Sequence, residues 1–135
     1  MQSMLDLQMN TISGCAVVRV IGAVDGDADA NTIAEAMRFV PIDDHLVVDL
    51  RQVERISPTA VHALTTALVH RLMAAETVVV SDRADVTLHL VLADADRLAP
   101  LVATVEQALQ VIRSRSGADL STVAADLIDP LGEVA

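Results

Sequence analysis

An α/β fold, with helices packed on a largely parallel sheet, is what this 135-residue sequence predicts. Two observations point there. Short runs of branched aliphatics alternate along the chain with stretches whose apolar residues recur every three or four positions. The central runs are apolar without interruption, as strands buried on both faces are, and such strands belong to parallel or mixed sheets.

Taken in order, residues 4–9 and 15–21 read as two strands joined by a turn around Ser13-Gly14, with Gly22 expected to break the second. A helix is expected over 29–39, where Ile33, Met37 and Val40 share a face and Pro41 ends the run. His45 to Leu50 reads as a buried strand. A second helix spans 58–74 with Val61, Leu64, Leu68 and Leu72 as its core stripe, and Thr77 to Val80 forms another buried strand. A third helix over 84–94, a short edge strand near 101–104 and a fourth helix over 105–115 complete the alternation. Val105, Leu109 and Ile112 face inward on that last helix. Residues 1–116 thus form one domain. Residues 117–135 form a tail in which Leu120, Val123, Leu127 and Leu131 recur at helical spacing, so a short amphipathic helix is expected there, either docked or serving as a homodimer contact.

Composition narrows the function. The hydrophobic fraction of 53% is enough for a real core, and no apolar run reaches the roughly 18 residues a membrane span requires. One cysteine, Cys15, allows no internal disulfide, and the N-terminus carries no signal-peptide pattern, so a cytoplasmic protein is expected. The net charge of −10, with arginine as the only strong base, repels phosphate backbones and anionic lipid. Neither nucleic acid nor direct membrane insertion is expected. The absence of lysine removes Schiff-base chemistry, pyridoxal phosphate attachment and the Walker phosphate loop. No cofactor is expected.

The sharpest local signal is Ile56-Ser57-Pro58-Thr59-Ala60. Serine is a favoured N-cap and proline suits the first helical position, so the second helix is expected to open with Ser57 as cap and Pro58 first. One outward stripe reads Thr59, His62, Thr66, His70: a solvated face or a docking face. His62 and His70 lie about 12 Å apart along a helix, too far to share a metal, and His45 and His89 have no ligand neighbours at suitable spacing. Asp25-Gly26-Asp27-Ala28-Asp29 opens like a calcium loop, but Ala30 and Ala36 stand where that loop needs Gly and Glu. A solvated loop, with Asp29 capping the first helix, is the expectation, and no metal site is predicted. Ser57 sits in no G-x-S-x-G elbow and no histidine lies at a spacing to serve it, so the chain is not expected to be an enzyme. A small-ligand protein on a flavodoxin-like sheet would need a glycine loop, and the five glycines do not cluster to make one.

Three stretches resemble the STAS domain, and within it the bacterial anti-sigma factor antagonists. Val18-Arg19-Val20-Ile21-Gly22-Ala23-Val24-Asp25 resembles the family's strand followed by Gly-Glu-Leu-Asp. Leu46-Val47-Val48-Asp49-Leu50-Arg51-Gln52-Val53 resembles its second core strand. Ile56-Ser57-Pro58-Thr59-Ala60-Val61-His62-Ala63-Leu64 stands in place of Ile-Asp-Ser-Ser-Gly-Leu-Gly-Ala-Leu. The likeness covers about residues 4–113.

This resemblance implies a STAS-like mixed or parallel sheet and a partner, an anti-sigma factor that is a protein kinase with a histidine-kinase-like ATPase fold. It implies a regulatory docking face made of Asp25, Ser57, Thr59, His62 and Thr66. In typical members the first Ser of Asp-Ser-Ser-Gly is phosphorylated. Here Ser57 replaces the Asp, Pro58 the acceptor, Thr59 the next Ser and Ala60 the Gly. Pro58 has no hydroxyl, so either Thr59 or Ser57 takes the phosphate or the domain is unswitched, the latter being favoured. A STAS subunit of a lipid-transport complex or of a stressosome-like particle is the alternative the resemblance leaves.

Overall fold

A computed structural model describes residues 5–72 and 75–117. The helix expected beyond residue 117, and any homodimer contact made by it, lies outside the described residues. The elements run β1 (Asp6–Ile12), β2 (Cys15–Val24), α1 (Gly26–Phe39), β3 (Leu46–Ile56), α2 (Pro58–His70), β4 (Thr77–Val80), α3 (Ala84–Leu92), α4 (Ala95–Leu98), β5 (Leu101–Val102) and α5 (Val105–Gly117). The sheet order is β1-β2-β3-β4-β5, so strand order equals chain order. β1 is antiparallel to β2, and every other neighbour pair is parallel. The sheet is therefore mixed, and parallel from β2 onward.

Ser13 (φ 52°) and Gly14 (φ 80°) both take left-handed backbone in the two-residue loop that closes Ile12 against Cys15. Two positive φ values in a row define the primed turn whose twist matches that of the flanking strands. Each later parallel connection steps one strand over in the same direction. Right-handed crossovers of that kind place their helices on one face. Accordingly Val20, Val24, Leu46, Val48 and Leu50 pack with Ile33 and Met37 of α1, Val61, Leu64 and Leu68 of α2, Leu90 of α3 and Ala95 of α4 in one core. The opposite face carries a smaller core, in which Cys15, Val17, Val47, Val78 and Val80 meet Ala108 and Ile112 of α5. No helix among the described residues is long and apolar enough to cross a membrane.

Several sequence expectations shift. Gly22 does not end β2. It adopts φ 103° at an irregularity where Gly22 and Ala23 pair with Val53 and Arg55, so β3 carries an extra residue and pairing continues to Val24. The first helix starts at Gly26 rather than residue 29, and Asp29 lies within it. The second helix ends at His70, which leaves Leu72 53% exposed and outside the core stripe. The expected third helix ends at Leu92, and beyond Asp94, whose φ is 62°, comes a short helix, α4, that the sequence reading did not include. The fourth lies where expected, though Ala108, not Val105 or Leu109, joins Ile112 as its fully buried contact.

Among the described residues two ionic side chains are buried, Asp49 and Arg71. Asp49 of β3, 1% exposed, accepts from Arg51 N (3.1 Å), Arg51 Nε (3.0 Å) and Nη2 (2.9 Å), and from Arg19 Nε of β2 (3.3 Å). Burial pushes its carboxyl up, but the Arg51 bonds and the two guanidinium charges outweigh that and hold it below the usual aspartate value. Arg71, just past α2, makes no salt bridge among the described residues, though the Asp44 charge acts on it. Its Nε donates to Thr77 Oγ1 (2.8 Å), Nη1 to Val40 O (3.2 Å) and Nη2 to Asp44 O (2.7 Å). One guanidinium thus ties the end of α2 to the end of α1, the loop before β3 and the start of β4.

Candidate functional site at the tip of α2

Parallel strands deliver their following loops to one edge of the sheet, and in open α/β sheets that edge is where ligands are met. Here β2 and β3 end side by side, with Val24 opposite Ile56. Ser57 N donates to Val24 O at 2.9 Å, which fastens the start of α2 to the end of β2. Ser57 Oγ accepts from Ala60 N at 3.1 Å, and Pro58 is the first helical residue, so the cap is the one its sequence predicts. The tip is open: Pro58 and Thr59 are exposed, and Ser57 is half-buried.

Asp25 stands beside this tip, immediately before α1. Its carboxylate receives a bidentate pair from Arg55, Nε to Oδ1 at 3.2 Å and Nη2 to Oδ2 at 2.8 Å. The hydrogen bonds and charge of Asp25 raise the Arg55 pKa above its ordinary value. Asp29 Oδ2 accepts from Asp25 N at 3.0 Å. Asp29 therefore serves the start of α1 from inside the helix, reaching back as the acidic residue of a capping box does. The segment compared with a calcium loop is the first turn of α1, and its lead carboxylate is occupied by Arg55. Among the described residues no group of three or more His, Cys, Asp or Glu side chains could hold a metal.

Along α2 the stripe Thr59, His62, Thr66, His70 is exposed throughout. Thr65 and Thr66 both donate to His62 O, at 2.8 and 3.0 Å, so the Thr66 hydroxyl is turned back onto its own helix. Asp25, Ser57 and Thr59 come together at the sheet edge. His62 and Thr66 continue that face along the helix, one and two turns away.

A groove of about 420 Å³ runs between α2 and α3, lined by Pro58, Val61, His62 and Thr65 on one side and His89, Leu92 and Ala93 on the other. Leu92 is 73% exposed at its lip, and Leu88 of the same helix is 55% exposed. Sequence reasoning expected this helix but gave it no part in the docking face. A signal was there: Val86, Leu88, Leu90, Val91 and Leu92 leave this helix apolar all round, although only Val86 and Leu90 are buried. A larger depression of about 690 Å³ along β5 and α5 shares no residue with the α2 tip.

The arrangement presents an apolar trough beside a helix N-terminus, with one exposed ion pair at its head.

A family model for the STAS domain matches residues 6–108. No curated protein matches the chain by sequence. Among solved structures, an anti-sigma factor antagonist from Mycobacterium paratuberculosis superposes with a TM-score of 0.69 at 23% identity, covering 81% of this chain and 94% of its own. The anti-sigma factor antagonist SpoIIAA in its unphosphorylated form gives 0.61 at 15% identity, covering 81% and 97%. An anti-sigma factor antagonist (STAS) domain protein from Planctomyces limnophilus gives 0.62 at 15%, covering 81% and 98%. At these identities the likeness establishes the fold.

Proposed function

The chain belongs to the STAS domain family, and on that premise we propose that it is a non-catalytic anti-sigma factor antagonist, which captures an anti-sigma factor of kinase-like fold. The observation that carries this reading is the exposed, serine-capped tip of α2 opening onto the α2–α3 groove. Leu88 and Leu92 offer the buried apolar contact a specific interface needs, and the polar tip with Asp25, Ser57, Thr59, His62 and Thr66 supplies its rim. The fold neighbours named as anti-sigma factor antagonists support the same reading.

The antagonist acts without a serine switch. Pro58 stands where the resemblance puts the phospho-acceptor and has no hydroxyl. Ser57 Oγ is engaged by Ala60 N. Thr59 is the accessible hydroxyl nearest the tip, but Pro58 stiffens the backbone a kinase would have to draw into its site.

The test is direct. The chain is mixed with kinase-fold anti-sigma factors encoded in the same genome, and complex formation is followed by calorimetry. The same mixtures, given ATP, are weighed intact. A stoichiometric complex that Leu92→Asp abolishes, with no added phosphate, is the expected result. Failure to bind any such factor removes the antagonist role, and one phosphate gained on Thr59 or Ser57 removes the unswitched mechanism.

A further inference from the structure

We propose that two copies of this chain pair edge to edge through β1, antiparallel about a two-fold axis at Met9, to form one continuous sheet. The two edges of the sheet differ. β5 is two residues long, which blunts it. β1 is seven residues long, Asp6–Ile12, and among the described residues no strand pairs with its outer side. Natural edges are guarded by lysine, proline, bulges or inward charges. β1 has none of these guards. Its register with β2 is unbroken and Asp6, at its first position, is its sole charge.

The hairpin turn decides which groups face outward. A two-residue loop makes the closing pair, Ile12 and Cys15, a hydrogen-bonded one, and such pairs alternate along an antiparallel ladder. Asn10 and Gln8 therefore bond to β2, while Leu7, Met9 and Thr11 aim their backbone groups at the open side. A two-fold at Met9 sets Met9 against itself and Leu7 against Thr11 of the other copy. Each of those pairs is then of the type that exchanges two hydrogen bonds. Gln8 meets Asn10, and Asp6 meets Ile12, so no acid faces an acid.

Charge selects a second copy as the occupant. The chain carries 19 acidic residues, yet none lies between Leu7 and Gly22. Asp6 at the start of β1 and Asp44 on the groove beside Met9 are the acids at this edge of a protein with net charge −10, so two like molecules approach there at low electrostatic cost. An apolar seat adjoins it. Met9 (44% exposed) and Phe39 (78% exposed), the chain's one aromatic residue, line a common groove of about 410 Å³ at the end of α1. The two-fold brings both seats to the same side of the joined sheet, an isologous contact. The α2–α3 groove lies across α2 from α1 and stays open in the pair.

Sedimentation equilibrium on the intact chain at tens to hundreds of micromolar reads the assembly, with circular dichroism as the check on folding. A dimer is expected. Met9→Lys, which sets a charge against its copy on the axis, and Met9→Pro, which removes an outward donor without touching the β1–β2 ladder, should each weaken it about tenfold or more. The register is read by the pair Gln8→Lys with Asn10→Lys, which should weaken the dimer, against Gln8→Lys with Asn10→Glu, which should restore it. A chain that stays monomeric throughout, or a dimer indifferent to folded Met9→Lys and to the charge-swapped pair, overturns the proposal.

Discussion

The two ends of the parallel strands are built to opposite rules. At the end where β3 and β4 begin, Arg71 is 6% exposed and spends its donors on Thr77 Oγ1, Val40 O and Asp44 O, locking the α1–β3 connection to the start of β4 with one buried cation. At the end where β2 and β3 finish, the corresponding ion pair, Arg55 with Asp25, is exposed, at 65% and 45% for the two side chains. A buried donor without its acceptors costs the full loss of solvation, whereas an exposed ion pair has water as a ready substitute. The first end therefore holds the domain together, and the second, on the proposed function, exchanges its contacts for those of another molecule.

The largest effect should come from breaking the locked end. Arg71→Ala leaves the buried Val40 carbonyl, the partly buried Asp44 carbonyl and the Thr77 hydroxyl without a donor, and should cost about 3 kcal/mol in denaturant unfolding while leaving partner affinity per folded molecule unchanged. A loss of affinity without a loss of stability would reverse the roles of the two ends. Next comes Thr59→Glu, which adds charge at the open tip. Glutamate is favourable in the first turn of a helix, so thermal stability should hold while binding to the anti-sigma factor weakens about tenfold. Unchanged affinity in calorimetry would place the docking face elsewhere. Ser57→Ala removes the acceptor for Ala60 N and should cost about 1 kcal/mol in stability. Smallest of all, Arg55→Ala should leave the thermal midpoint within measurement error, and a clear drop would show that the open end is structural after all.

Much of this architecture is legible in the sequence because it rests on local physics. Leu46-Val47-Val48 in β3 and Val78-Val79-Val80 in β4 mark strands covered on both faces, and Ser57-Pro58 marks a helix start to the residue, since cap and proline act within one turn. What escaped rests on contacts between distant positions. Asp25 and Arg55 are thirty residues apart, as are Arg19 and Asp49, and only the register of β2 on β3 brings each pair together. The Arg71 clip is of the same kind: two of its acceptors lie on the connection between α1 and β3, about thirty residues back, and the third opens β4. Gly22 misled for a different reason, because a glycine that ends a strand and one that sits at a bulge look alike until the partner strand is known. The exposure of Leu72 reflects a helix that stops one turn early, where nothing local in Val69-His70-Arg71-Leu72 signals an end.

Because the strands line up in the order they occur in the chain, each one emerging from the ribosome finds its neighbour already laid down. No early strand waits at a gap for a distant segment to fill it, and the pairing steps close only short crossovers. Such a sheet grows by addition at one side during synthesis. Its need for chaperones should accordingly be low, and refolding from denaturant should proceed without an accumulated species that exposes the central valines.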